Sequence, residues 1–197
     1  MNNNPSSDPI GDIIKRQIGH STYYFLKGNG QFSRTIDLLY ISQMLINNLK
    51  GKLIISMPFK REYSYIVTPA AKALEGVLLA IALHKGMILQ QDIDKGVSIG
   101  KIYDGLQGKP ALAKKFVLKP KDIRVVDTIY GDWTIVRNKV LHYDEDFFID
   151  SIVEAEETVK DIYKTIGLAY QIFIGQPNKV LSLGFILSQS ARIKPRL

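Results

Sequence analysis

The residues with the most chemical promise lie together in Arg137-Asn138-Lys139-Val140-Leu141-His142. A guanidinium is a permanent cation whose planar fork suits anionic oxygens. An imidazole exchanges a proton near neutral pH. Together these two types suit a reaction in which charge develops on an oxyanion while a proton moves. Their spacing limits the geometry. Five residues turn an ideal helix through about 500°, leaving the two side chains about 140° apart. They converge if the helix ends, bends or bulges between them, or if Arg137 of one chain meets His142 of another. The acidic Tyr143-Asp144-Glu145-Asp146 stretch predicts a helix end near His142. With seven Arg and three His in 197 residues, roughly 0.1 such pairs arise by chance, and roughly a few in a thousand once Asn must follow the Arg.

Arg137 also stands out by its register. Ile123, Val126, Tyr130, Trp133, Arg137 and Val140 follow a 3-4-3-4-3 spacing, so Arg137 takes a place where the pattern asks for an apolar residue. An unpaired buried charge is costly, so this arginine needs a partner or a polar cleft. Glu75 is the expected partner, either in a core ion pair or as the carboxylate that orients a working guanidinium. Trp133 on the same stripe reads as core. His20 and His84 have no metal-ligand spacing with His142, and His84 reads as a cap contact at a helix C-terminus. Asp144–Asp146 read as dipole and capping residues ahead of a helix, so neither a metal nor any other cofactor is expected. Phosphate-binding P-loops, nucleophile elbows and dinucleotide fingerprints are missing from the sequence.

The elements that must hold these residues are helical. Ser33 is the expected N-cap of a helix over Arg34–Leu49. A second helix is expected from about Pro69, acceptable in a first turn, to Leu83 or His84. It is apolar nearly all round from Ala73 to Leu83, the mark of a central helix, and its only charges before His84 are Lys72 and Glu75. Gln90–Lys121 reads as connecting structure with a possible short helix. A third helix covers about Lys121–Leu141 and a fourth Ser151–Phe173, where Ser151-Ile152-Val153-Glu154 has the capping-box form. Thr22–Leu26 fits a short strand before the Gly28-Asn29-Gly30 turn. Lys52–Phe59 fits a strand or a connector, and Val180–Leu187 is an apolar segment of undecided type. The expected architecture is mainly α: a bundle of four or more helices with a possible small β appendage. Residues 1–8 are expected to be disordered and 9–197 to form one domain.

Composition sets the outer bounds. Hydrophobic residues make up 46% and charged residues 23% of the chain, enough apolar mass for a true core. There is no cysteine, which removes disulfides, thiolate metal sites and cysteine nucleophiles and fits a reducing compartment. Met1–Asp8 lacks the apolar region of a signal peptide, and the longest apolar run, near Val77–Leu83, is too short to span a bilayer. A cytoplasmic protein without a membrane partner is expected. The net charge of +7 hides an asymmetry. Between Asp144 and Asp161 eight acids stand against one base, so the remainder carries +14. Lys114, Lys115, Lys119 and Lys121 belong to a basic cluster that fits a solvated loop or a track for RNA phosphates.

The hexapeptide RNKVLH resembles the R-x4–6-H signature of the HEPN ribonucleases, whose common form is R-N-x3-H. The resemblance covers about Tyr65–Phe173. Within that superfamily it is most similar to the RNase LS toxins, in which a helix upstream of the motif carries a basic residue and a Glu three apart. Lys72-Ala73-Leu74-Glu75 has that form, with Lys72 where an Arg is more usual. The chain lacks room for the extra N-terminal domains of such toxins, so it would be a minimal version or a fragment. The resemblance implies a HEPN-like bundle and a metal-independent endoribonuclease. In such an enzyme the ribose 2′-OH attacks the adjacent phosphorus and leaves a 2′,3′-cyclic phosphate and a 5′-OH. His142, with a reference pKa near 6.5, would transfer the proton, and a nearby carboxylate would raise that value. Arg137 would stabilise charge on the phosphoryl oxygens. Asn138 would orient either residue or the phosphate, and Glu75 would hold Arg137 or Lys72. Lys139 and the Lys114–Lys121 cluster would contact RNA. A homodimer, an RNA substrate and an antitoxin or regulatory protein are the implied partners, in a toxin–antitoxin or antiphage setting. The alternative is a helical RNA-binding or protein-interaction module of the same fold without catalysis.

Overall fold

A computed structural model describes residues 8–50, 62–106, 120–141 and 149–175; at 31, 120–122 and 137–141 it describes the backbone alone. The described residues form α1 (Pro9–Ile18), α2 (His20–Gly28), a single 3-10 turn (Gly30–Phe32) and α3 (Arg34–Leu49). There follow α4 (Ser64–His84), the short α5 (Gln90–Asp94) and α6 (Ile99–Leu106), and then α7 (Pro120–Leu141) and α8 (Ile152–Phe173). No strand occurs among the described residues. The protein is mainly α, and the expected β appendage is corrected at its best-defined point: Thr22–Leu26 lies within α2. Tyr23 and Leu26, three residues apart, are buried together on one face of that helix, a placement that strand alternation cannot provide. Lys52–Phe59 and the segment from Lys179 onward fall outside the described residues.

α4 is the central element. It packs most extensively against α3 and α8 and also against α7. Ile66, Val67, Ala70, Ala73, Leu74 and Val77 are each 0% exposed, because small and branched side chains let three helices approach one axis. The helix begins at Ser64, five residues before the expected Pro69, which lies inside it. Glu62 makes the earlier start possible by accepting from the Ser64 backbone N–H at 2.7 Å. The donor missing at Pro69 would have met the carbonyl of Tyr65, whose residue is 48% exposed. α4 as a whole is 21 residues, long and apolar enough by composition to cross a membrane, although Val77–Leu83 alone is not. Half of its most apolar stretch is buried by the other helices.

The direction of the long helices follows from three contacts. The Tyr63 N–H donates to the Ile149 carbonyl at 2.9 Å, which joins the starts of α4 and α8. Leu78, Ile81 and Ala82 of α4 meet Val126 and Ile129 of α7 and Phe173 of α8 around a small apolar cavity of about 40 Å3. Further along, Thr165 Oγ1 of α8 donates to Asp132 Oδ2 of α7 at 2.9 Å. α4 and α8 are therefore parallel, and α7 runs antiparallel to both.

The helix ends have local causes. Ser151 caps α8, its side chain accepting from the Glu154 N–H at 3.1 Å, as the capping-box form predicts. Ser33 precedes α3 as expected but is itself in helical conformation, and its hydroxyl donates to the Gly30 carbonyl at 2.9 Å. Gly19 separates α1 from α2 at φ +89°, a left-handed conformation that favours glycine. Gly167 of α8 lets the Ile18 carbonyl at the end of α1 approach: a Cβ there would lie 3.1 Å from that oxygen.

Candidate functional site

α7 carries the motif. Its buried positions are Val126, Ile129, Trp133 and Val136. This corrects the expected stripe: the seam runs through Ile129 and Val136, with Tyr130 half-buried beside it. Both stripes contain Val126 and Trp133, and they differ by one residue, 100°, at Ile129 against Tyr130. Val136 is on the buried seam, and Arg137 follows it in the chain as the half-buried Tyr130 follows Ile129. Trp133 is core, as expected. The backbone of Arg137, Asn138 and Lys139 is helical, and their side chains, with all of His142, lie outside the described residues. So do Lys114, Lys115, Lys119, the side chain of Lys121, and Asp144–Asp146.

On α4, Lys72 is exposed and Glu75 half-buried. Neither makes a hydrogen bond or ion pair with another described residue. Glu75 and Leu78 are three apart and share a face, and Leu78 lines the cavity against α7. Glu75 therefore flanks the side of α4 that α7 covers. Because the two helices are antiparallel, leaving the cavity toward the start of α4 means moving toward the end of α7. Lys72 and Glu75 therefore lie on the side of the cavity toward which the end of α7 runs.

Two features of α7 escape sequence reading. Tyr130 stacks on Tyr103 of α6, ring centroids 3.9 Å apart and planes within 7°, and Tyr103 donates to Asp127 at 2.8 Å. This ties α6 to α7 over the apolar cavity. Asp132 is the other feature. It is held in the α7–α8 interface, where burial pushes its carboxyl above the usual value, opposed by the Thr165 hydrogen bond and reinforced by the nearby Asp161 charge. An acid one residue before Trp133 gives no sequence signal of burial, since its partner Thr165 is 33 residues away. His84 closes α4 with its ring edge-on to Phe25 at 5.4 Å, a packing contact where a capping contact was expected. Among the described residues no group of three or more His, Asp or Glu side chains is placed to hold a metal ion.

Comparison with protein-family models, curated proteins and solved structures finds no match to this chain.

Proposed function

We propose that this protein is a HEPN-type endoribonuclease that cleaves RNA without a metal, as a toxin or antiphage effector restrained by a partner protein. What supports this reading is that RNKVLH begins in the last turns of α7 and that α7 packs antiparallel to α4, the helix that carries Lys72-x-x-Glu75. The two signatures are more than sixty residues apart in sequence, and nothing about either one requires the other to be near. The net charge of +7 favours a polyanionic substrate.

In this proposal the 2′-OH attacks the adjacent phosphorus, the P–O5′ bond breaks, and the products are a 2′,3′-cyclic phosphate and a 5′-OH. His142 moves the proton, and Arg137 holds the phosphoryl oxygens as their charge grows. Asn138 orients the phosphate. Glu75 has no partner among the described residues and is the carboxylate available to orient Arg137 or Lys72. Lys72 supplies a point charge rather than a bidentate fork, so Lys72→Arg is expected to retain activity. Lys139 and the Lys114–Lys121 cluster bind the RNA backbone.

The test is cleavage of end-labelled RNA by the purified chain, with product ends identified. Wild type is expected to give cyclic-phosphate and 5′-OH ends and to be unaffected by chelator. Arg137→Ala and His142→Ala should each lose about 100-fold or more, the usual scale of a proton-transfer or oxyanion-stabilising group. Undiminished cleavage by both variants, or RNA binding without cleavage by the wild type, overturns the proposal. The second outcome identifies a non-catalytic RNA-binding module.

A further inference from the structure

On the far side of the bundle, α1, α3 and α8 leave between them a groove of about 340 Å3, within the size range of small-ligand sites. Its floor is apolar. Ile46 and Val159 are buried there, and the Tyr163 hydroxyl is already committed to the Leu39 carbonyl at 3.1 Å. Its rim is polar and carries Arg16 from α1, Asn47 and Lys50 from α3, and Glu156 and Lys160 from α8.

The charges of this rim are arranged unusually. Nζ of Lys50 and Nζ of Lys160 both contact the same carboxylate oxygen, Glu156 Oε1, at 2.7 and 2.8 Å. One negative charge therefore draws together two ammonium groups that repel each other. Each ammonium has three donors, so most remain unused. Arg16 engages only Nε, on the Asp12 carbonyl at 3.3 Å, which leaves both guanidinium NH2 groups. With one acid against three bases the rim has an excess of two positive charges. That matches a phosphomonoester, which carries about two negative charges at neutral pH, better than a single carboxylate.

Gln43 adds an independent observation. It is only 9% exposed, and its Nε2 donates to Asn47 Oδ1 at 3.0 Å. Its Oε1 has no protein partner among the described residues, yet no buried side-chain polar atom there is unsatisfied. That oxygen therefore keeps contact with solvent, and Gln43 lines the groove. A largely buried amide on the lining of a groove is placed to meet a ligand, and the Asn47 NH2 beside it is a donor.

We propose that this groove binds a small organic phosphate. The phosphate lies against Arg16, Lys50 and Lys160, the apolar body rests on Ile46 and Val159, and a polar edge meets the Gln43–Asn47 amides. This site is separate from α7 and does not depend on RNA cleavage.

Phenyl phosphate has both a dianionic head and an apolar body, and serves as the probe. Titrated into the whole protein at constant ionic strength and followed by amide NMR, it is expected to shift resonances of α1, α3 and α8 saturably. It should bind more tightly than inorganic phosphate or phenol. Arg16→Ala and Lys160→Ala, both at exposed positions, should each weaken binding about tenfold, the scale of a lost charge-assisted hydrogen bond. Their unliganded spectra show whether they fold. Absence of saturable shifts in the wild type, shifts centred elsewhere, or equal affinity in wild type and both variants overturns the proposal.

Discussion

Asp132 shows how a single side chain can tie stability to pH. Its carboxyl is pushed above the ordinary value of 3.8 by burial between α7 and α8, with the Thr165 hydrogen bond acting against that shift. Below 3.8 folded and unfolded chains both hold the proton, and the group contributes nothing to the pH dependence. As pH rises from there to the folded-state value, the unfolded chain ionises first and stability falls; above that value the loss is complete. Asp132→Asn keeps an acceptor for Thr165 and removes the charge. It is therefore expected to unfold at higher urea than wild type at pH 7 and to lose this part of the acid-to-neutral decline. Urea midpoints measured from pH 3 to pH 7 check this, and parallel curves for the two proteins would count against it. The buried Tyr163 hydroxyl behaves in the same sense, held well above its usual value by burial alone.

Among the elements, α8 illustrates a start set by local chemistry. The Ser151 side chain meets the Glu154 N–H, one of the four donors a helix N-terminus leaves free. Ser151→Ala is expected to destabilise the fold by about 1 kcal/mol, the usual effect of removing such a cap. Chemical denaturation measures it, and no change would mean that water replaces the hydroxyl without loss. α4 shows the opposite case. Its first turn precedes Pro69, a residue that locally favours a later start. Burial of Ile66 and Val67 at 0% exposure is worth about 1.5–3 kcal/mol per side chain, enough to outweigh one backbone hydrogen bond lost at Pro69. α7 shows a third: its helical periodicity was legible, and the burial of Ile129 and Val136 was decided by the neighbours α4, α6 and α8.

For the whole molecule, the angular separation of Arg137 and His142 bears on assembly. Two side chains five residues apart on one continuous helix point about 140° apart, so a twofold dimer that pairs Arg137 of one subunit with His142 of its partner satisfies the proposed chemistry. In that arrangement, mixing inactive Arg137→Ala and His142→Ala proteins is expected to restore about a quarter of the wild-type rate, because half of the dimers are mixed and each has one complete site. RNA cleavage by the mixture against each variant alone measures this. No restored activity would mean that each subunit supplies both groups to its own site.

The limits of α3 and α8, the helical nature of α7 and the central place of α4 were determined by the sequence itself. Each rests on apolar periodicity and end signals that act within a few residues, such as Ser151-x-x-Glu154 or the run after Ala73. The RNKVLH and Lys72-x-x-Glu75 signatures were legible for the same reason, being short and contiguous. Only the tertiary structure decided that Thr22–Leu26 is helical, that Ile129 and Val136 lie on the α7 seam, and that Asp132 meets Thr165. The groove between α1, α3 and α8 is of the same kind, since Arg16, Lys50 and Lys160 converge across more than a hundred residues. Local propensity acts along the chain, whereas burial and charge pairing depend on which distant surfaces meet, and no stretch of sequence carries that information alone.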